Sequence, residues 1–232
     1  MDKKLETAMD EIALIKRVIE KTQQDFSRIS AYFIWIGIVN LTVWFLEEFS
    51  YFLRNKMGYG YLVAAVFGWG GRVLRLAGYV ILFLYYYRRV KKSDNELSEG
   101  MVKIWGIVLI ASRVFMYLYI CLIPDGNDDK IVVLFRCREL IEVLPVIAVL
   151  LMTGILTKRN GITLLTAAYS ILYFVLFVSM REVPYGTWGG IGTRVSASSV
   201  CIQYLMSFGM TVLGVYLRWQ GKGKKTGLKD AA

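Results

Sequence analysis

The sequence predicts an all-α fold: a polytopic membrane protein, a six-transmembrane-helix bundle preceded by an N-terminal amphipathic heptad helix. Three observations carry that expectation. Hydrophobic residues make up 56% of the 232-residue chain and the mean hydropathy is +0.48, more apolar surface than one soluble core needs. They are gathered into runs of roughly 18–27 residues, the length that crosses a hydrocarbon layer about 30 Å thick at about 1.5 Å per residue. Lys and Arg flank these runs instead of forming a basic domain. The net charge of +10 therefore reads as membrane topology and not as a nucleic-acid surface.

Residues 1–28 contain neither Gly nor Pro. Leu5, Ile12, Ile19 and Phe26 recur at intervals of seven, with Ala8, Ile15, Thr22 and Ile29 between them, an a/d heptad seam. Lys3, Lys4, Lys16, Arg17, Lys21 and Arg28 balance Asp2, Glu6, Asp10, Glu11, Glu20 and Asp25. A helix lying on anionic lipid is rich in Lys and Arg on its polar face. The balanced pattern instead favours a coiled coil or a helix docked on a partner, either a second copy or another membrane protein. Such a charged start argues against a cleavable signal peptide, and nothing breaks the helix before Gly37, so it runs into the first span.

The spans read as Ile29–Leu46, Tyr61–Tyr87, Ile104–Ile123, Ile131–Leu156, Gly161–Met180 and Val200–Trp219. Basic residues near their ends number sixteen on one side, including Arg88, Arg89, Lys91, Lys92, Lys158, Arg159 and Lys222, against five on the other. The first side is cytoplasmic by the positive-inside rule, which puts both termini inside. The chain then divides into a cytoplasmic helix (1–28), a six-span domain (29–219) and a basic cytoplasmic tail (220–232). Trp105, Trp188 and Trp219, with Tyr85–Tyr87, read as interfacial anchors, and Trp35 as either an anchor or core.

The second span carries small residues at Ala64, Gly68, Gly71 and Gly78, a stripe that lets a neighbouring helix approach closely. Arg75 falls on the same stripe. It belongs to a wider set of intramembrane charges: Arg72 and Arg75 in the second span, Arg113 in the third, and Arg136, Arg138, Glu139 and Glu142 in the fourth. Counted along straight helices from the cytoplasmic ends, Arg113 lies about 14 Å deep, Arg75 about 18 Å, Glu142 about 21 Å and Arg72 about 22 Å. A charge at the bilayer centre costs about 2.5–3.5 kcal/mol, so such groups face one another or a wet cavity.

Two readings follow from that layer. One is a structural network, with pairs inside the fourth span at Arg138–Glu142 and Arg136–Glu139 and the outermost arginines reaching lipid headgroups. The other is a polar cavity open to the outside. Five arginines against two glutamates leave room there for an anionic small molecule or lipid headgroup, which guanidinium groups bind in a bidentate manner. Arg75, Arg113 and Glu142 are expected to converge in either case. Pro145 removes a hydrogen bond to the Ile141 carbonyl and offers a kink beside Glu142.

Other signals exclude chemistry more than they suggest it. Histidine is absent and Cys121, Cys137 and Cys201 lie at no metal-type spacing, so no metal ligand set is expected; no cofactor motif is present either. Gly58-Tyr59-Gly60 lacks the preceding Thr-Val of a potassium filter and any pore helix. Glu47 and Glu48 read as the outer boundary of the first span, and residues 184–192 as an outer loop. Ser196, Ser198 and Ser199 show no base partner in the sequence, so no catalytic residue and no enzyme activity are expected.

The charged helix leading into Phe33-Ile34-Trp35-Ile36-Gly37 resembles small multi-span bacterial inner-membrane proteins over about the first fifth of the chain. The resemblance implies a bacterial cytoplasmic membrane and no activity. The residues themselves leave two classes. The first is a small-solute transporter or substrate-binding membrane subunit that uses the arginine-rich cavity. The second is a non-catalytic sensor, immunity or assembly protein that acts through residues 1–28.

Overall fold

The computed structural model describes residues 29–50, 52–53, 61–92, 96–122, 128–185 and 193–229. The heptad residues Leu5, Ile12, Ile19 and Phe26 and the glycine-rich stretch 186–192 lie outside them. The described chain forms α1 (Ile29–Ser50), α2 (Tyr61–Lys91), α3 (Glu96–Leu122), α4 (Asp128–Leu156) and α5 (Asn160–Val178). A two-stranded ribbon follows, β1 (Glu182–Tyr185) and β2 (Thr193–Ser196), then α6 (Ala197–Tyr204), a π-helical turn (Leu205–Gly209) and α7 (Met210–Lys229). The last three make one rod whose apolar part, Ala197–Trp219, is the sixth span. Six helices are thus long and apolar enough to cross a membrane, the build of a multi-pass membrane protein.

Several boundaries differ from expectation, two of them for identifiable physical reasons. The third helix starts at Glu96, not Ile104. Glu96 and Glu99 occupy its first turn, where carboxylates favour the positive end of the helix dipole, and Glu99 pairs with Lys103 at 2.7 Å. The expected loop at 184–192 is framed by strands, with Glu182 opposite Ser196 and Tyr185 opposite Thr193 in an antiparallel ladder. The ribbon satisfies its own backbone before the chain turns into α6, whose N-cap is Ser196.

Sequential helices pack side by side: α2 on α3, α3 on α4, α4 on α5 and α5 on α6. The small-residue stripe of α2 faces α1, with Cγ1 of Val43 3.5 Å from where a Cβ would stand on Gly71, and Cγ1 of Val39 3.0 Å from the same point on Gly78. A closer approach joins α1 to the last rod. A Cβ on Gly37 would lie 2.6 Å from the Ser207 carbonyl oxygen, and one on Gly214 would lie 2.6 Å from the Ser30 carbonyl oxygen. Only glycine permits these backbones to touch.

The densest apolar packing lies in the half of the bundle that holds the start of α1 and the end of α2. Tyr32, Phe33, Ile36, Val90, Val102, Trp105 and Met210 are almost fully buried there. Trp105 is therefore core and not an interfacial anchor: its ring meets Phe33 edge-on at 5.2 Å and its Nε1–H donates to Thr153 Oγ1 at 2.9 Å. Trp35, by contrast, points outward at 49% exposure, and Trp219 is also exposed. The opposite half, beside the ribbon, is where the charges gather.

Candidate functional site

Five spans contribute side chains to one polar cavity of about 190 Å³. From α1 come Asn40 and Glu47, from α2 Arg72 and Arg75, from α3 Arg113 and Met116, and from α4 Glu139 and Glu142. The last rod adds Ser199, Ile202, Gln203 and Met206. α5 takes no part, and it presents Leu164, Leu165 and Ile171 outward. The cavity lies in the ribbon half of the bundle because Glu47 is near the end of α1, Glu139 opens the apolar span-length part of α4 (Glu139–Leu156) and Ser199 is in the first turn of α6.

Arg113 anchors the wall. Its Nη2 pairs with Glu142 Oε1 at 2.5 Å, and its side chain is only 4% exposed. Nη1 reaches Met116 Sδ at 3.6 Å, a weak acceptor, and Nε is buried with no acceptor among the described residues. Arg75 pairs with Glu47 across α2 and α1 at 3.2 Å, and its Nε is likewise buried without an acceptor. Arg72 has no carboxylate partner among the described residues. Its guanidinium lies over the Trp69 ring at 5.0 Å, and its backbone carbonyl accepts from Tyr117 Oη at 2.7 Å, which ties α3 to α2.

Glu139 is 8% exposed. Its Oε2 accepts from Ser196 Oγ at 3.4 Å, at the positive end of the α6 dipole, while Oε1 is buried with no partner among the described residues. Ser196 Oγ also lies 2.8 Å from Ser199 Oγ, which competes with Glu139 for its single proton, and it accepts from the Ser199 N–H and the Ser198 hydroxyl. The fold thus brings a carboxylate beside the serine cluster that showed no base partner in the sequence. Asn40 closes the cavity on the side of the apolar core: its Nδ2 donates to the Ile36 carbonyl at 2.8 Å and its Oδ1 accepts from Tyr79 Oη at 2.7 Å.

Of the residues expected from the sequence, Arg72, Arg75, Arg113, Glu139 and Glu142 are brought together. Arg136 is not: it donates to the Phe177 carbonyl and stacks over the Phe177 ring at 4.9 Å, so it fastens α4 to α5 and makes no pair with Glu139. The side chain of Arg138 lies outside the described residues. Glu142 reaches across to α3 for its partner. Glu47, expected to mark only a span boundary, is a wall residue, and Asn40, Ser199 and Gln203 join it. Among the described residues the lining therefore holds three arginines and three glutamates. No metal-ligating cluster is present among the described residues.

No family model, curated protein or solved structure matches the chain.

Proposed function

We propose that this is a solute-binding integral membrane protein, a transporter or the substrate-binding subunit of one, whose cavity takes a small ligand bearing a carboxylate or phosphate. One observation carries the reading. Three arginines line a cavity inside a membrane-spanning bundle; among the described residues one has no carboxylate partner, and the other two keep buried Nε–H groups without acceptors. Charges at that depth are costly unless water or a ligand compensates them, and guanidinium groups suit planar or tetrahedral oxyanions. The count of basic residues supports an outward-facing ribbon end, so the solute arrives from outside the cell.

The test is a thermal-stability titration of the full-length protein in detergent against small carboxylates, phosphates and amino acids. A saturable rise in Tm with at least one compound is expected, and it is lost in Arg72→Ala, whose side chain makes no ion pair among the described residues. Uptake of that compound into reconstituted vesicles assigns transport, and binding without uptake assigns a substrate-binding subunit. Absence of any saturable response overturns the proposal.

A further inference from the structure

We infer that the ligand is a zwitterion, a small molecule or headgroup with an oxyanion and an ammonium group a few atoms apart; this rests on the solute-binding reading above. The argument is a matching of charges. Of the six ionic groups that line the cavity among the described residues, four are consumed in two pairs, Arg113 with Glu142 and Arg75 with Glu47. The two that remain, Arg72 and Glu139, have opposite signs and neither has an ionic partner among the described residues. Each is held in place by other means: Arg72 over the Trp69 ring, and Glu139 by the Ser196 hydroxyl. Glu139 is more than nine-tenths buried and still keeps one oxygen without a donor.

A simple anion would satisfy Arg72 and leave that oxygen unpaired, with a second negative charge beside it. A simple cation would fail in the mirror-image way. One molecule carrying both charges satisfies both groups at once, and each uncompensated alternative is disfavoured in a low-dielectric site. The cavity of about 190 Å³ is worth about six waters at about 30 Å³ each, the size class of a small amino acid or of phosphoethanolamine. The shared chemistry is an ammonium near an oxyanion, and its source is either a free solute or a lipid headgroup.

The experiment compares matched sets of probes on the full-length protein in detergent. L-alanine, phosphoethanolamine and short-chain phosphatidylethanolamine are set against their fragments: acetate, inorganic phosphate and ethanolamine. At least one zwitterion is expected to bind about tenfold or more tightly than any fragment, the scale of one additional charge-assisted hydrogen bond. Glu139→Gln should erase the preference, so that the zwitterion and the anion bind alike. Should that variant fail to fold, Arg72→Gln on the more exposed wall is the second arm, and it should shift the preference toward ethanolamine. A response to the short-chain lipid alone assigns a headgroup; a response to L-alanine or phosphoethanolamine assigns a free solute. Equal binding of fragment anions and zwitterions to the wild-type protein overturns the inference and leaves the solute-binding reading standing. No response to any probe overturns both.

Discussion

Arg113 on α3 and Glu142 on α4 form an ion pair 2.5 Å long inside the bundle, with the arginine side chain 4% exposed and the glutamate 16%. Its position makes a sharp energetic statement. Removing one partner strands a buried charge, which costs about 3–5 kcal/mol, whereas removing both can be close to neutral. Glu142→Gln and Arg113→Leu should each lower the unfolding free energy in detergent by about that amount, and the Arg113→Leu/Glu142→Leu double variant should be milder than either. Equal stability of all three would count against a close pair.

The interface between α1 and the last rod makes a different prediction. A methyl group on Gly37 would meet the Ser207 carbonyl at 2.6 Å and the Thr211 amide nitrogen at 2.8 Å; one on Gly214 would meet the Ser30 carbonyl and the Ile34 amide at the same two distances. These are backbone atoms and cannot swing aside. Gly37→Ala and Gly214→Ala should each cost about 1–3 kcal/mol through overpacking. Gly71→Ala, whose nearest neighbour would be a valine methyl at 3.5 Å, should stay within about 0.5 kcal/mol of wild type. Denaturant titrations of the three variants order them, and a costly Gly71→Ala would reverse that order.

What was legible in the sequence, and what was not, divides along one physical line. Six spans could be read because apolar run length is a property of the chain alone. The charged layer could be read too, since Arg72, Arg75, Arg113, Glu139 and Glu142 interrupt those runs at similar depths. Which residue meets which could not, because pairing depends on the rotation of each helix about its axis. Arg113 and Glu142 differ by about 7 Å in straight-helix height, yet the long arginine side chain closes that gap. Arg136, three residues before the cavity-lining Glu139, turns to α5 instead. Glu47 looked like a boundary because it follows the last strongly apolar residue of its run; only the neighbouring Arg75 reveals it as a wall. The contact of Gly37 and Gly214 with the facing backbones has no sequence signature either, since neither belongs to a repeated small-residue stripe.

Orientation rests on the basic-residue count, sixteen against five, and is open to direct measurement. Single cysteines are introduced into a cysteine-free background and labelled in intact cells with an impermeant reagent. A cysteine at Asp128, the first residue of α4, should react; cysteines at Lys92 and Lys224 should react only after permeabilisation. The opposite pattern would turn the bundle over and place the cavity at the cytoplasmic face.

Arg75 and Glu47 form the second pair of the cavity, and its energetics should differ from the first. The contact is longer, 3.2 Å, and the two side chains are 13% and 27% exposed, so the pair is less fully desolvated than the first. Glu47→Gln should therefore cost about 1 kcal/mol or less, well below Glu142→Gln. The same substitution changes the charge of the cavity wall. It leaves Arg75 without its carboxylate, so the balance among the described lining residues moves from three positive and three negative groups to an excess of one positive. Inorganic phosphate should then bind severalfold more tightly than to the wild-type protein, with an affinity that falls as salt is raised. Isothermal titration of the two proteins at low and high salt reads both effects. A Glu47→Gln protein as unstable as Glu142→Gln, or one with unchanged phosphate affinity, would mean that Arg75 serves the packing of α1 on α2 and not the cavity.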